Sequence, residues 1–173
     1  MRAQSYAVAV ALTALLTCVQ GLGITVPGTK WCGPGNIAEN YDDLGTDVEL
    51  DMCCRAHDHC DEKIPAQQQR SDLDGLSNDG LFPIFSCACE ATFRQCLSML
   101  HNMESAALGR IYFSTTNVCF AHGPPVLSCQ EQQWDLFVGK RCLSYNEDRS
   151  QPERWQFYDL PFYTHPTEED TQQ

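Results

Sequence analysis

The strongest chemical signal in this chain is an adjacent histidine and aspartate, His57 and Asp58, set between three closely spaced cysteines. A neutral imidazole can take a proton from water near neutral pH. A carboxylate is a preferred ligand of Ca²⁺. Neighbouring helical residues point about 100° apart, so the two side chains can serve adjacent subsites. The pair therefore predicts a general base beside a cation ligand, against the simpler alternatives of a structural histidine and a solvated helix charge.

A glycine-rich loop precedes this pair and reads Trp31-Cys32-Gly33-Pro34-Gly35. Such a loop can turn several backbone carbonyls toward one point, and Ca²⁺ takes carbonyl and carboxylate oxygens together. An ordinary turn is the alternative for the loop. Zinc is the alternative for the histidine–cysteine cluster, but export would oxidise the thiols that zinc needs.

The composition indicates an exported protein. Arg2, an apolar run from 7 to 19 and small residues at Gly21 and Gly23 predict a signal peptide over 1–23, leaving a mature domain over 24–173. Of eleven cysteines, Cys18 lies in the predicted leader, and the remaining even number predicts five disulfides. We therefore expect a secreted, extracellular protein.

The net charge of −12 restricts the possible partners. Nucleic acid is excluded as a partner because its binding depends on neutralising phosphates. Strong attraction to anionic membranes is not expected either. No oligomer signal is present, and a monomer is expected.

Cysteine spacing predicts how two helices pair. A capping box at Thr46 and Glu49 predicts a helix that runs to about Lys63. A second helix is predicted from about Phe85 to Leu108. Each helix carries two cysteines seven residues apart, so antiparallel packing would join Cys53 to Cys96 and Cys60 to Cys89. The same register places His57 opposite Thr92, within one turn of Glu90.

The remainder of the chain gives weaker signals. Gly109 is predicted to end the second helix, and residues 110–114 and 118–120 to form a short hairpin. A polar tail is predicted from about residue 164. The predicted fold is therefore mainly α and disulfide-rich, with two antiparallel helices joined by disulfides, a cation-binding loop and a short β-hairpin.

The two motifs W-C-G-x-G and C-C-x-x-H-D-x-C, in this order, resemble the secreted calcium-dependent phospholipase A2 enzymes of the bee-venom type, group III. The resemblance covers roughly residues 24–163. It implies the two helix–helix disulfides and three more: Cys32–Cys54, Cys87–Cys119 and Cys129–Cys142. It also implies hydrolysis of the sn-2 ester of glycerophospholipids, at a membrane or micelle surface, to a lysophospholipid and a fatty acid.

The resemblance assigns roles to individual residues. His57 is implied as the catalytic base, with Glu90 standing where the family usually has an aspartate that orients the histidine, and Tyr112 supporting that carboxylate. The implied Ca²⁺ ligands are the carboxylate of Asp58 and the carbonyls of Trp31, Gly33 and Gly35.

Two other interpretations of the function stay open at this point. One is a catalytically weak relative that acts as a toxin or receptor-binding protein, which the replacement at Glu90 favours. The other is a secreted cystine framework with no enzymatic role. Trp155 and Phe162 are candidates for membrane contact, although both could equally belong to the core.

Overall fold

The computed structural model describes residues 25–164, so the predicted signal peptide and nearly all of the predicted tail lie outside the described residues. Three α-helices are described, α1 (Val48–Asp58), α2 (Cys87–Met99) and α3 (Met103–Thr115), together with a short 3₁₀ helix at Ser71–Leu73. Eight strands accompany them, listed in chain order: β1 (Lys63–Ile64), β2 (Gln68–Arg70), β3 (Leu76–Asn78), β4 (Ile84–Phe85), β5 (Val118–Gly123), β6 (Val126–Asp135), β7 (Gly139–Glu147) and β8 (Arg154–Asp159). This mixture of helices and strands corrects the prediction of a mainly α fold.

All strand pairs are antiparallel and form four two-stranded sheets: β1 with β4, β2 with β3, β5 with β8, and β6 with β7. The predicted hairpin is wrong. Residues 110–114 are helical, and the strand at 118–123 pairs with the distant β8 instead. The long β6–β7 hairpin, for which no strand was predicted, is exposed along much of both faces.

The five predicted disulfides are confirmed, and they determine how the helices lie. Cys53–Cys96 and Cys60–Cys89 join α1 to α2 in the predicted antiparallel register. Cys32–Cys54 ties the glycine-rich loop to α1, and Cys87–Cys119 ties α2 to β5. Cys129–Cys142 closes the β6–β7 hairpin.

The first helix is shorter at both ends than predicted. Its N-cap is Asp47 rather than Thr46, whose hydroxyl donates to the Gly28 carbonyl at 3.5 Å. The helix ends at Asp58 because the chain then turns to pair β1 with β4, which buries Ile64 completely. Burial of that side chain outweighs the gain from one more helical turn.

The predicted second helix is two helices. Asn102 starts α3 by accepting a hydrogen bond from the Ser105 N–H at 2.8 Å, and His101 before it has a positive φ of 50°. Gly109 lies within α3 rather than at a helix end. A Cβ there would stand 2.6 Å from ring carbons of Tyr163, so glycine lets this aromatic ring pack on the helix.

The main core lies between the helices and the residues after β8. Its large members include Leu50, Phe93, Leu97, Phe113 and Tyr163. The rings of Phe113 and Tyr163 stack with centroids 5.7 Å apart. None of the helices within residues 25–164 is long and apolar enough to cross a membrane.

Candidate active site

Three of the predicted site residues meet in one buried cluster. His57 comes from the last turn of α1, Glu90 from the first turn of α2 and Tyr112 from the last turn of α3. The His57 Nε2 atom lies 3.5 Å from Glu90 Oε2 and 3.4 Å from the Tyr112 hydroxyl. The Tyr112 hydroxyl donates to Glu90 Oε1 at 2.8 Å. The structure thus brings together a base, a carboxylate and a hydroxyl that are distant in sequence.

Aromatic rings fix the plane of the histidine. The His57 ring stacks on Phe93, with centroids 4.4 Å apart and planes 23° apart, and contacts Phe85 at 4.2 Å. Tyr112 meets it edge-on at 5.3 Å. The His57 side chain is 5% exposed, so the ring has little freedom to rotate.

Glu90 is fully buried, which is unusual for a glutamate. Its position in the first turn of α2 favours a negative charge, because helix N–H dipoles point toward it. Its Oε2 atom has no hydrogen-bond partner among the described residues, although His57 Nε2 lies close by. That oxygen can accept a hydrogen bond from the His57 ring when Nε2 carries a proton.

The Tyr112 hydroxyl acts as a hydrogen-bond donor. Burial, together with the neighbouring Glu90 carboxylate, raises the pKa of the Tyr112 hydroxyl well above its ordinary value. The hydroxyl therefore keeps its proton at neutral pH and donates a hydrogen bond to Glu90.

An apolar cavity of about 290 Å³ lies beside this cluster, between α1 and α2. His57 is one of its lining residues, together with Ala56, Ala88, Thr92 and Phe93. The cysteines of the two helix–helix disulfides complete the lining. A buried histidine thus faces a space that suits an apolar group.

Asp58 lies half-buried at the end of α1, beside His57. No hydrogen bond reaches its carboxylate from any residue between 25 and 164, whereas its carbonyl accepts from Lys63 Nζ at 2.8 Å. Burial raises the pKa of the Asp58 carboxyl. An unpaired, partly desolvated carboxylate of this kind would gain from a cation.

The glycine-rich loop offers oxygen atoms rather than side chains. Gly33 and Gly35 are exposed, and Gly35 has a positive φ of 102°. The Trp31 carbonyl accepts from the Gly33 N–H at 3.2 Å, and the Gly33 carbonyl accepts from the Gly35 N–H at 2.9 Å. Each carbonyl oxygen retains a second lone pair.

The donor set fits a hard cation better than a transition metal. In the described part of the chain, no group of three His, Cys, Asp or Glu side chains could hold a metal. One carboxylate and several loop carbonyls are the oxygen ligands that Ca²⁺ prefers.

Asp51 was missed as a site residue, and it anchors the loop. Its carboxylate is fully buried and accepts the N–H groups of Lys30 at 2.9 Å, Trp31 at 2.7 Å and Gly45 at 2.8 Å. It lies three residues before Cys54, hence on the same face of α1 as the disulfide to the loop. That spacing places Asp51 near the loop, but no residue type in the sequence marks it as the anchor.

These features define a disulfide-bonded protein with a candidate histidine-based active site at an apolar cavity. A family model described as Phospholipase A2 matches residues 25–123. A phospholipase A2 from Bombus pensylvanicus is 36% identical over 142 residues, covering 81% of this chain and 100% of the relative. One from Xylocopa appendiculata circumvolans is 37% identical over 134 residues, covering 77% and 70%.

The phospholipase A2 large subunit of Chersonesometrus fulvipes is 48% identical over 101 residues, covering 56% of this chain and 94% of the relative. The extent of the family match and the full-length relative show that the chain belongs to the phospholipase A2 family. The predicted resemblance is confirmed, and the protein is a phospholipase A2 enzyme.

Proposed function

We propose that the protein is a secreted, calcium-dependent phospholipase A2 that hydrolyses the sn-2 acyl ester of glycerophospholipids at a membrane or micelle surface. The observation that carries this proposal is the buried cluster of His57, Glu90 and Tyr112 beside the apolar cavity. Five disulfides support export, because such bonds persist in oxidising compartments.

In this proposal His57 is the general base. With its Nε2–H directed at Glu90, the other ring nitrogen can accept a proton from the water that attacks the ester. Glu90 stabilises the imidazolium that results, and Tyr112 holds Glu90 by its hydrogen bond. The proton then passes to the departing alcohol, which leaves as the lysophospholipid.

Asp58 and the carbonyls of Trp31, Gly33 and Gly35 would hold the Ca²⁺. When bound, this cation would polarise the ester carbonyl and stabilise negative charge on its oxygen. Asp51 keeps the loop against α1, so the carbonyls and Asp58 belong to one rigid unit.

The test is fatty-acid release from phosphatidylcholine vesicles, with calcium and with excess EGTA. We expect release from the sn-2 position with calcium and none with EGTA, and no restoration by Zn²⁺. Full activity in EGTA would refute the calcium assignment. Release from the sn-1 position alone would refute the proposed regiochemistry.

A catalytically weak toxin or receptor-binding protein is the second candidate. The absence of a hydrogen bond to Glu90 Oε2 within the described chain favours it, since the base is then less firmly oriented. Vesicle binding without release, at saturating calcium, would support this candidate.

A further inference from the structure

A strongly exposed apolar segment of the described chain is the turn between β6 and β7, here called the hairpin tip, residues 134–138. Phe137 is 92% exposed, Leu136 71% and Trp134 62%. Val138 completes a run of three consecutive apolar residues. Exposed runs of this kind are uncommon on soluble proteins and mark contact surfaces.

The hairpin tip has a defined shape. Trp134 pairs with Lys140 and Asp135 with Gly139, whose φ of 100° lets the chain reverse. Asp135 Oδ1 accepts the N–H of Phe137 at 2.8 Å and that of Val138 at 2.9 Å. Two backbone donors at the tip are thus satisfied from within, which lowers the cost of moving the tip out of water.

The hairpin tip is also attached to the helix that carries Tyr112. Arg141, immediately after Lys140, is buried and donates to the carbonyls of Ser114 at 3.1 Å and Thr116 at 3.3 Å. On the opposite strand, β6, the Gln133 Oε1 atom accepts a hydrogen bond from the Phe162 N–H at 3.0 Å. The hairpin therefore cannot swing freely relative to the C-terminal end of α3.

We propose that the hairpin tip inserts into the apolar edge of a phospholipid bilayer and anchors the enzyme there. This inference rests on the proposed function, which requires work at a lipid surface. The hairpin lies beyond the residues that the family model matches, so the match assigns it no role.

Charge and area both favour lipid over another protein. In a chain with a net charge of −12, residues 136–140 contain no acid and one base, Lys140, while the Asp135 carboxylate accepts N–H groups of the tip itself. Aromatic side chains bury about 150–250 Å² each, so the two aromatic residues of the tip together fall short of the roughly 800 Å² per partner of a standard protein interface. Trp is also favoured where the apolar and polar layers of a membrane meet, and Phe and Leu on the apolar side of segments that lie there.

The sequence-based candidates for membrane contact are placed differently. Trp155 is half-buried and packs on Phe120, with centroids 5.8 Å apart. Phe162 is half-buried under the Arg141 guanidinium at 4.6 Å. Neither projects as the hairpin tip does.

The first experiment measures binding of the full mature protein to vesicles of non-hydrolysable, ether-linked phosphatidylcholine. Phe137→Asp should weaken binding by about tenfold or more, because burying a large apolar side chain is worth at least that factor. Leu127→Asp is the matched control: Leu127 is 68% exposed, on the same hairpin, at its opposite end. It should bind within about twofold of wild type.

Hydrolysis of a short-chain phosphatidylcholine below its micelle concentration separates this inference from the proposed function. Phe137→Asp should retain wild-type turnover on this monomeric substrate. If the wild type releases no fatty acid from any phospholipid, the proposed function fails. If it hydrolyses normally and Phe137→Asp binds vesicles like wild type, the inference alone is overturned.

The second experiment locates the hairpin tip in the bilayer. Subtracting the emission of Trp134→Phe from that of wild type isolates Trp134 from Trp31 and Trp155. Lipids brominated near the glycerol should quench this difference signal. An unquenched signal would contradict the inference. So would vesicle binding that is lost in Phe82→Asp instead of Phe137→Asp, since Phe82 is 63% exposed in the separate loop before β4. A dimer without lipid that Phe137→Asp dissociates would assign the tip to a second copy instead.

Discussion

The buried cluster around His57 and the glycine-rich loop at Trp31–Gly35 are built in opposite ways. The cluster acts through side chains, is enclosed by aromatic rings, and draws on three helices, of which two disulfides join α1 to α2. The loop would act through backbone carbonyls on exposed glycines, and it is held by Asp51, by one disulfide and by the Trp31 Nε1–H, which donates to the Asp43 carbonyl at 3.0 Å. Side-chain changes should therefore damage the cluster directly and the loop only through its anchors.

The largest expected effect is in the cluster. His57→Gln should lower turnover by about 10²–10⁴-fold, the usual worth of a general base. Binding to ether-lipid vesicles and calcium affinity should stay near wild type, because glutamine fills much of the same space. Turnover within a few-fold of wild type would exclude His57 as the base.

Asp58→Asn should distinguish the calcium-binding role of the loop from the base-orienting role of the cluster. It should abolish the calcium response, since it removes the one predicted carboxylate ligand. Because burial raises the folded-state pKa of Asp58, its ionisation at neutral pH opposes folding, and this cost vanishes as pH falls through that pKa. Without calcium the variant should therefore be at least as stable as wild type in denaturant unfolding, and added calcium should stabilise only the wild type. A variant that calcium stabilises equally would contradict the assignment.

The next largest effect is expected from changing Glu90, the carboxylate of the cluster. Glu90→Gln should lower turnover by about ten- to a hundredfold at saturating calcium, because the amide neither carries charge nor enforces the histidine tautomer. Glu90→Asp is the control and should retain activity. Equal rates for wild type and Glu90→Gln would mean that another residue, or none, orients the base.

Spacing alone predicted the helix pair, because two seven-residue cysteine intervals define one antiparallel register. That register also predicted the approach of Glu90 to His57. It could not predict that Tyr112 lies on a helix. The run Ile111-Tyr112-Phe113 favours a strand locally, but the Asn102 cap and the burial of Phe113 against Tyr163 favour a helix.

The two elements that sequence reasoning missed have a common cause. The β6–β7 hairpin is exposed on much of both faces, so it lacks the alternation of apolar and polar residues that predicts strands. Asp51 is a buried charge whose partners are backbone N–H groups some twenty residues earlier or in the Gly45 turn. Hydrogen bonds to the backbone leave no pattern in residue types.

Asp51→Asn tests the loop through its anchor. The amide would place a donor where the carboxylate now accepts from backbone N–H groups on two sides, at a cost of about 1.5–3 kcal/mol in the free energy of unfolding. We expect the calcium concentration for half-maximal activity to rise about tenfold, while turnover at saturating calcium recovers. Asp47→Asn is the matched control, because its side chain makes no capping hydrogen bond. A purely structural role would lower stability without changing the calcium requirement.

The smallest expected effect is that of Tyr112→Phe, which removes one hydroxyl from the rim of the cluster. The ring contacts with His57 and Phe93 remain, so the histidine keeps its plane. Glu90 Oε1 loses its 2.8 Å donor, a loss worth about 0.5–1.5 kcal/mol. If Glu90 orients the base, that loss should appear as a two- to tenfold fall in turnover, by the usual conversion of about 1.4 kcal/mol per tenfold.

Tyr145→Phe is the control, since it removes a hydroxyl that accepts the Asp159 N–H at 2.8 Å, among the strands and away from the cluster. The two variants should lose similar stability, and only Tyr112→Phe should lose turnover. If both variants turn over substrate at the wild-type rate, Tyr112 only stabilises the fold, and the functional cluster reduces to His57 and Glu90.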